Sequence, residues 1–258
     1  MNGQATIKLN TGAEMPALAL GTWRLSGTGR EQAVGWALEA GYRHVDTAAM
    51  YGNEQFVGAG LRVSGVPRDA VFVTTKLAGW DHVRPREAAL ESLDRLGLEH
   101  VDCYLIHWPG GSGADLDVWP VLEELHTERR LNAIGVSNYP VPLVQELLDS
   151  ADVPPAVNQV EMNPFTHPRD IVAACHDSAI AVQAYSPLGK ASRLDDPRVR
   201  EVAERLGRTP AQVVLRWGIQ HGVAVLPKSG DRERIEANGR LFDFELGGDD
   251  MASLDSLG

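Results

Sequence analysis

Short apolar runs alternate with amphipathic helical segments along almost the whole chain, and this alternation constrains the fold more than any other feature. The runs are four to six residues long, rich in Val, Ile and Ala, and typical of parallel strands buried on both faces. They are Ala17–Leu20, Arg43–Asp46, Val71–Thr75, Val101–Ile106, Ala133–Val136, Ala156–Val160, Ile180–Ala184 and Val223–Leu226. Eight β–α repeats in 258 residues predict an α/β fold, a closed (β/α)8 TIM barrel, as one domain over residues 1–258.

The segments between these runs carry helix signals. Pro85–Leu96 begins with proline and stops before Gly97, which is the asymmetry favoured by helix ends. The same reading predicts helices at Arg30–Ala40, Val141–Leu148, Pro168–Ser178, Pro197–Leu206 and Pro210–Gln220, with an extra C-terminal helix at Asp249–Leu257. Ile7–Met15 predicts a short N-terminal β-hairpin. A doubly wound open sheet is the alternative, but no Gly-x-Gly-x-x-Gly fingerprint follows the first strand.

Composition excludes several classes of function. The net charge is −11 without a basic cluster, which argues against nucleic-acid binding. No apolar run approaches the roughly 18–20 residues of a membrane span, and the polar segment Met1–Thr11 lacks a signal core. Cys103 and Cys175 lie far apart in apolar segments, so we expect buried free thiols and a cytoplasmic location. The sequence has no metal-ligand spacing and no evident self-complementary surface, so we expect a monomer without a metal.

Four polar residues at or near the strand ends form a chemical set. In a barrel of this kind the chemistry lies at the carboxyl ends of the strands, which places Asp46, Tyr51, Lys76 and His107 around one mouth. A free tyrosine has a pKa near 10, and we expect the Lys76 ammonium to lower the pKa of Tyr51. Asp46 would pair with Lys76, and His107 would polarise a carbonyl or share its proton. The set predicts general acid catalysis on a carbonyl oxygen.

Six segments in order resemble the signatures of the aldo-keto reductases. They are Ala40–Glu54, Leu93–Pro109, Ala133–Tyr139, Asn158–Glu161, Tyr185–Gly189 and Leu226–Ser229. The resemblance runs from about Ile7 to Leu257, and the subgroup it is most similar to is the prokaryotic one that includes 2,5-diketo-gluconate reductases. It implies NADPH-dependent reduction of an aldehyde or ketone, with Tyr51 as the acid, tuned by Lys76 and Asp46, while His107 orients the substrate.

The resemblance also implies a set of cofactor contacts. The nicotinamide would stack on Tyr185, with its carboxamide held by Ser137, Asn138 and Gln159. Thr22, Trp23, Leu188 and Leu226 match further cofactor-lining positions. Lys228, Ser229 and Arg234 would bind the adenosine 2′-phosphate, and Asn238 matches the adenine contact.

Two departures from the family pattern modify these expectations. Asp231 either repels the 2′-phosphate or caps the helix that begins at Arg232, so we expect NADPH to be preferred with measurable use of NADH. The chain stops at Gly258, where many relatives continue with a tail, and this predicts an open pocket. Trp23, Trp80 and Trp108 are candidate substrate walls. The loops at residues 24–30, 80–85 and 110–119 would select the substrate.

Two other functions fit parts of the pattern. A metal-dependent hydrolase would use His44, Asp46 and His107, although Lys76 would compete with the metal for Asp46. A non-catalytic nicotinamide-binding module is the other alternative. Such a module would not need Asp46, Tyr51, Lys76 and His107 together, whereas this sequence has all four.

Overall fold

A two-stranded hairpin precedes the main sheet in the computed structural model, which describes residues 5–25, 30–110, 114–189 and 193–258. Strands β1 (Thr6–Lys8) and β2 (Glu14–Pro16) are antiparallel, with Ile7 opposite Met15, and Gly12 supplies the left-handed turn residue at φ +86°. Met15 is fully buried in one apolar cluster with Leu105 and Val157 of the main sheet. The predicted hairpin is therefore confirmed. Its Met15 side chain packs into the apolar interior enclosed by the main sheet.

Eight parallel strands follow in chain order and form the main sheet. They are β3 (Leu20–Gly21), β4 (His44–Asp46), β5 (Phe72–Leu77), β6 (Cys103–Ile106), β7 (Ile134–Ser137), β8 (Val157–Glu161), β9 (Ala181–Tyr185) and β10 (Ala224–Val225). Each of the eight predicted runs overlaps or directly adjoins one of these strands. The first run, Ala17–Leu20, lies mostly before β3, because its residues pair with the far edge of the sheet.

That pairing forms a seam between the first and last strands. The Val225 amide donates to the Ala17 carbonyl at 2.8 Å, and the Ala19 amide donates to the Val225 carbonyl at 2.9 Å. The two chains approach so closely that a Cβ atom on Gly21 would lie 2.7 Å from the carbonyl oxygen of Leu226. The seam closes the sheet, as predicted for a (β/α)8 barrel, and it requires glycine at position 21.

Helices surround the strands and connect them. They are α1 (Arg30–Glu39), α2 (Glu54–Val63), α3 (Pro85–Leu96), α4 (Ala114–Thr127), α5 (Val141–Ser150), α6 (Arg169–Asp177), α7 (Pro197–Leu206), α8 (Pro210–Gln220), α9 (Arg232–Asn238) and α10 (Gly248–Asp255). Local signals account for several ends: Thr209 and Gln212 form a capping box before α8, and Gly97 ends α3 at φ +67°. The helices α2 and α4 were not predicted, and α4 occupies part of the expected substrate loop at 110–119. None of the helices in these described ranges is long and apolar enough to span a membrane.

The strand side chains divide into two apolar layers. On β6, Cys103 and Leu105 belong to the cluster inside the barrel, whereas Tyr104 and Ile106 belong to the cluster between strands and helices. Cys175 of α6, like Cys103, is a buried free thiol, as expected. The inside of the barrel is thus filled with apolar side chains below its carboxyl end, and polar side chains are concentrated at that end.

Candidate active site

A buried ion pair lies at the carboxyl end of β4 and β5. Lys76 Nζ is 2.7 Å from Asp46 Oδ1 and donates to the Thr47 carbonyl at 2.8 Å, and the Lys76 side chain has no exposed surface. Burial lowers the pKa of Lys76, but the charge of Asp46 and the nearby Tyr51 outweigh burial and raise the pKa above its usual value. The expected pairing is present, and Lys76 carries its charge inside the barrel.

Tyr51 lies against this ion pair. It ends a short 3-10 helix, Ala49–Tyr51, which follows β4 and stops at Gly52 with φ +62°. The Lys76 ammonium donates to the Tyr51 hydroxyl oxygen at 3.4 Å. The Thr47 hydroxyl donates to the Asn53 side chain at 2.9 Å, which holds the two ends of this loop together. The loop therefore fixes the phenol next to the Lys76 charge, which can stabilise a phenolate at this distance.

The pKa of Tyr51 is raised, which corrects one expectation from the sequence. Burial raises this pKa and is the largest influence; Lys76 lowers the pKa and Asp46 raises it. The effect of Lys76 has the expected sign but does not exceed the effect of burial. Tyr51 accordingly holds its proton at neutral pH, as a proton donor must before it reacts.

His107 faces the Tyr51 ring from the end of β6. The two ring centroids are 5.5 Å apart with an edge-to-face angle of 74°. Burial, together with the charge of Lys76, lowers the pKa of His107 to about 3, so the imidazole is neutral. Its Nδ1 atom is buried and has no hydrogen-bond partner within the described part of the chain. A neutral imidazole offers one N–H donor and one lone pair, and it adds no positive charge next to Lys76.

The four residues border or underlie a cavity of about 630 Å³ at the carboxyl end of the strands. Its lining includes residues at or just after the carboxyl end of every main-sheet strand except β5. The lining residues are Gly21, Thr22, Trp23, Arg24, Asp46, Met50, Tyr51, His107, Trp108, Ser137, Asn138, Gln159, Glu161, Tyr185, Ser186, Pro187, Leu188, Leu226, Pro227 and Lys228. Trp23 and Trp108 are half-exposed at its rim. Trp80 is 65% exposed and is not part of the lining, so the structure does not bring this tryptophan together with the other two.

The substrate loops expected from the sequence are only partly described. Residues 26–29 and 111–113 lie outside the described ranges. Of the first loop, Arg24 lines the cavity, with its guanidinium 4.4 Å from the centre of the Trp23 ring. The rim at this point is therefore aromatic and positively charged.

A polar cluster faces the ion pair from β7, β8 and β9. The Tyr185 hydroxyl donates to Asn138 Oδ1 at 2.9 Å, and Asn138 Nδ2 donates to Ser137 Oγ at 3.0 Å. Gln159 Nε2 donates to Asp46 Oδ2 at 2.8 Å. The structure thus brings the four expected nicotinamide-binding residues to one wall. It adds a contact that the sequence did not predict, because Gln159 is a second partner for the carboxylate that holds Lys76.

The segment after β10 carries the candidate phosphate-binding residues. Lys228 is exposed at the cavity rim, and Ser229 next to it is buried. Asp231 accepts a hydrogen bond from the Arg234 amide at 2.9 Å and is the N-cap of α9. Asp231 Oδ1 is also 3.6 Å from Arg234 Nε. The capping interpretation is confirmed, and the carboxylate also pairs with one of the two candidate phosphate-binding cations. Asn238 is buried at the end of α9 and, like Ser229 and Arg234, is not part of the cavity lining.

These residues fit a nicotinamide dinucleotide. Thr22 Oγ1 is buried beside the cavity without a hydrogen-bond partner among the described residues, so it offers an unused polar atom there. Leu188 and Leu226 supply apolar lining next to the Tyr185 ring. Lys228 supplies a cation at the rim, and a phosphate needs such a cation. The donor set therefore matches a ligand with a flat ring at one end and a phosphate toward the other.

The metal-hydrolase alternative is not supported by the placement of His44. Both ring nitrogens of this buried residue have partners, the Pro16 carbonyl at 3.2 Å and the Thr74 hydroxyl at 3.0 Å. His44 is therefore unable to share a metal ion with Asp46 and His107. The Asp46 oxygens are likewise taken up by Lys76 and Gln159.

Comparison with known proteins agrees with this geometry. Residues 17–258 match the model of the family described as "Aldo/keto reductase family". The chain belongs to the aldo/keto reductase family. It is similar to the 9,11-endoperoxide prostaglandin H2 reductase of Trypanosoma cruzi, with 44% identity over 97% of this chain and 90% of that protein. It is also similar to the glyoxal reductase of Bacillus subtilis, with 41% identity over 98% and 92%.

A solved structure shares the fold over the full length. The Bombyx mori aldo-keto reductase in complex with NADP superposes with a TM-score of 0.93 at 36% identity, covering 99% of this chain and 93% of that one. Membership in the aldo/keto reductase family makes the chain an oxidoreductase that acts on carbonyl groups. The 2,5-diketo-gluconate reductase subgroup is not singled out by these comparisons.

Proposed function

We propose that this aldo/keto reductase converts an aldehyde or ketone into an alcohol with NADPH as reductant and Tyr51 as proton donor. The observation that carries the proposal is the contact between Lys76 Nζ and the Tyr51 hydroxyl at 3.4 Å, with Asp46 at 2.7 Å from the same ammonium. A buried charge held against a phenol has a clear chemical use, which is to stabilise the phenolate left after the proton has moved.

The proton transfer follows from the charges of these residues. Because its pKa is raised, Tyr51 enters the reaction protonated and donates to the carbonyl oxygen. Lys76 then lies next to the phenolate, and Asp46 keeps Lys76 charged throughout. The neutral His107 packs edge-to-face against the Tyr51 ring, where its N–H can donate to the same carbonyl oxygen. Two donors thus converge where negative charge develops in the transition state.

The cofactor supplies a hydride to the carbonyl carbon when it is bound. Tyr185 would provide the stacking face, and Ser137, Asn138 and Gln159 the polar contacts to the carboxamide. Lys228, Ser229 and Arg234 would hold the 2′-phosphate, with Asn238 toward the adenine. The NADP complex of the similar Bombyx mori enzyme supports a nicotinamide dinucleotide phosphate as the cofactor. Because Asp231 pairs with Arg234, the preference for NADPH is expected to leave measurable use of NADH.

The substrate would enter between Trp23 and Trp108 at the open rim. A small carbonyl compound fits the space above Tyr51, and the name of the Bacillus subtilis relative, a glyoxal reductase, supports this class of reaction. We expect the protein to work as a monomer, because all the residues invoked belong to one chain.

Replacing Tyr51 by Phe tests the proposal. Turnover with NADPH and a panel of aldehydes, diketones and keto-sugars is expected to fall about 10²–10⁴-fold, the range for loss of a general acid. Quenching of tryptophan fluorescence by NADPH is expected to persist with a similar dissociation constant. Tyr104→Phe is the matched control, since Tyr104 is a fully buried tyrosine outside the cavity lining, and it should leave turnover unchanged. An unchanged rate in Tyr51→Phe would overturn the mechanism.

A further inference from the structure

Three potential metal ligands from distant parts of the chain meet at a place that the reductase mechanism does not use. His167 precedes α6, His221 caps the end of α8, and Asp255 ends α10. One donor atom from each lies within 4.8 Å of the other two. None of the three lines the cavity described above. They are the one such group of His, Cys, Asp or Glu side chains in the described part of the chain.

The Nδ1 atom of His167 has a lone pair or proton that no hydrogen bond uses among the described residues. Its side chain is only 7% exposed, and Nδ1 is buried without a hydrogen-bond partner among the described residues. That atom lies 3.9 Å from Asp255 Oδ1, which is too long for a hydrogen bond. A buried polar atom without a partner is costly in a folded protein, so its position beside a carboxylate needs a cause. Burial lowers the pKa of His167 to about 4, so the ring is neutral, the form that binds metals.

Asp255 is oriented by two further donors. Trp217 Nε1 donates to Asp255 Oδ1 at 2.8 Å, and His221 Nε2 is 2.9 Å from the same oxygen. Burial raises the pKa of Asp255, but the bonds from Trp217 and His221 outweigh it, and the pKa is lowered overall. The carboxylate is therefore ionised, and the indole N–H orients it, as outer hydrogen bonds orient metal ligands.

Aromatic rings wall the group on one side. The Trp217 ring packs edge-to-face against His167 and His221 with centroid distances of 4.9 and 4.5 Å. The His167 and His221 rings are themselves 4.8 Å apart. These contacts fix both imidazoles with little freedom to turn away, so the ligand set is preorganised.

We propose that His167, His221 and Asp255 bind a first-row transition-metal ion, with Zn²⁺ as the preferred ion. Two imidazoles and one carboxylate form a donor set suited to this class of metal, and a water molecule would complete a tetrahedral shell. Zinc–ligand bonds of about 2.0–2.2 Å place donor atoms roughly 3.4 Å apart in a tetrahedron. The two spacings to Asp255, 2.9 Å and 3.9 Å, differ from that value by about half an ångström, and all three donor atoms lie within 4.8 Å of one another, so the imidazole nitrogens must move closer together when the ion binds.

Metal binding would change the protonation of one pair only. His221 Nε2 gives up its hydrogen bond to Asp255 and turns its lone pair to the ion, with any proton on that nitrogen released to solvent. Trp217 keeps its bond to the carboxylate. Arg169, whose side chain donates to the Asp255 carbonyl at 2.5 Å, places a positive charge nearby. This charge repels all divalent cations alike, so the preference for a transition metal comes from the two imidazole ligands. The bound ion would clamp the last helix, α10, onto α8 and the segment before α6.

Cobalt spectroscopy and calorimetry on the whole, untagged chain test the proposal. After removal of metals with a chelator, Co²⁺ is expected to give a visible d–d absorption band at one ion per chain, which Zn²⁺ then abolishes. A hundredfold excess of Zn²⁺ over its dissociation constant should raise the Tm by about 5–10 °C. His167→Gln should lose the band and the rise in Tm. The control His100→Gln, which alters a histidine outside the group, should keep both.

Each outcome decides the question. Asp255→Asn is expected to weaken binding by removing the carboxylate charge, but its amide oxygen still accepts hydrogen bonds and is still a weak metal ligand, so His167→Gln is the decisive variant. Absence of stoichiometric binding to the wild-type chain would show that the group is only a hydrogen-bonded cluster. Equal binding by His167→Gln would place the ion elsewhere, and either result would overturn the proposal. Reductase activity is not needed as a readout, so the two proposals stand or fall separately.

Discussion

Lys76 Nζ and Asp46 Oδ1 are 2.7 Å apart in the barrel, and the two side chains are 0% and 5% exposed. A charge pair this deep is stable only while both partners remain, because each alone would be an uncompensated buried charge. Gln159 adds a neutral donor to the other carboxylate oxygen. The same contacts that position Tyr51, the proposed proton donor, therefore also bear on the stability of the folded chain.

Replacing Asp46 by Asn is expected to lower the free energy of unfolding by about 3–5 kcal/mol, because Lys76 loses its counter-charge. Urea unfolding followed by circular dichroism measures this change. The double variant Asp46→Asn/Lys76→Met should recover much of the stability but none of the reductase activity. A double variant no more stable than the single one would show that the charge of Lys76 is not the cause.

Asp231→Asn separates the charge of Asp231 from its capping role. Asparagine caps a helix about as well as aspartate, so the free energy of unfolding should change by less than about 1 kcal/mol. Removing the carboxylate beside Arg234 should lower the KM for NADPH about 2–5-fold, the scale of an exposed charge interaction, and leave the KM for NADH unchanged. Steady-state kinetics with both cofactors provide the measurement. Lys228→Met should raise the KM for NADPH, because it removes a cation from the proposed phosphate site. Wild-type kinetics that clearly favour NADH would contradict the assignment of the phosphate site.

Arg24 is expected to favour carbonyl substrates that carry a carboxylate. Its guanidinium lines the cavity above Trp23, where it can attract an anion at the rim. Arg24→Asn is the suitable variant, because the residue has φ +55° and asparagine tolerates that conformation. We expect kcat/KM to fall several-fold for a keto acid and to stay constant for a neutral ketone of equal length. A parallel loss for both substrates would instead indicate damage to the rim.

Acid should destabilise the protein below about pH 6.5. Burial lowers the pKa of His44 to about 4 and that of His107 to about 3, whereas both residues titrate near 6.5 in the unfolded chain. Between these values the unfolded state binds more protons, so stability is full above pH 6.5 and is lost as the pH falls toward 3–4. Each histidine contributes a slope of up to about 1.4 kcal/mol per pH unit. Urea unfolding between pH 7 and pH 5 should show a shallower slope for His44→Gln than for wild type.

Most of the eight strands could be predicted because they lie in short apolar runs, which can be recognised without tertiary information. Strand β4 is the weakest case, since Val45 is its one apolar residue. Helix α2 could not be predicted from the sequence, because Gly58 and Gly60 make the segment resemble a loop. The structure explains the first of them: a Cβ on Gly58 would lie 2.0 Å from the Leu96 carbonyl oxygen, so glycine permits α2 to pack on α3. Helix α4 was hidden in a similar way by Pro120 inside it.

The chemistry of the site was predictable as a set of residues but not as a set of pKa values. The positions of Asp46, Lys76 and Tyr51 follow from the strand ends, and their mutual contacts are as expected. Burial is a property of the whole fold, and it is the largest influence on the pKa of Tyr51. The bond between Gln159 and Asp46 joins residues 113 positions apart, and no local pattern could have indicated it.

The seam between Ala17 and Val225 also has a consequence for the order in which the chain folds during synthesis. Neighbouring strands can bring Asp46, Tyr51, Lys76 and His107 together within the first half of the chain, whereas the wall that ends in Lys228 is synthesised last. Contacts between residues about 200 positions apart form late, because a large loop must first be closed. A nascent chain shorter than about 225 residues would therefore hold these four residues without the segment that carries the proposed phosphate-binding Lys228. Reductase activity then serves as a reporter for the last event in folding, the meeting of the two ends.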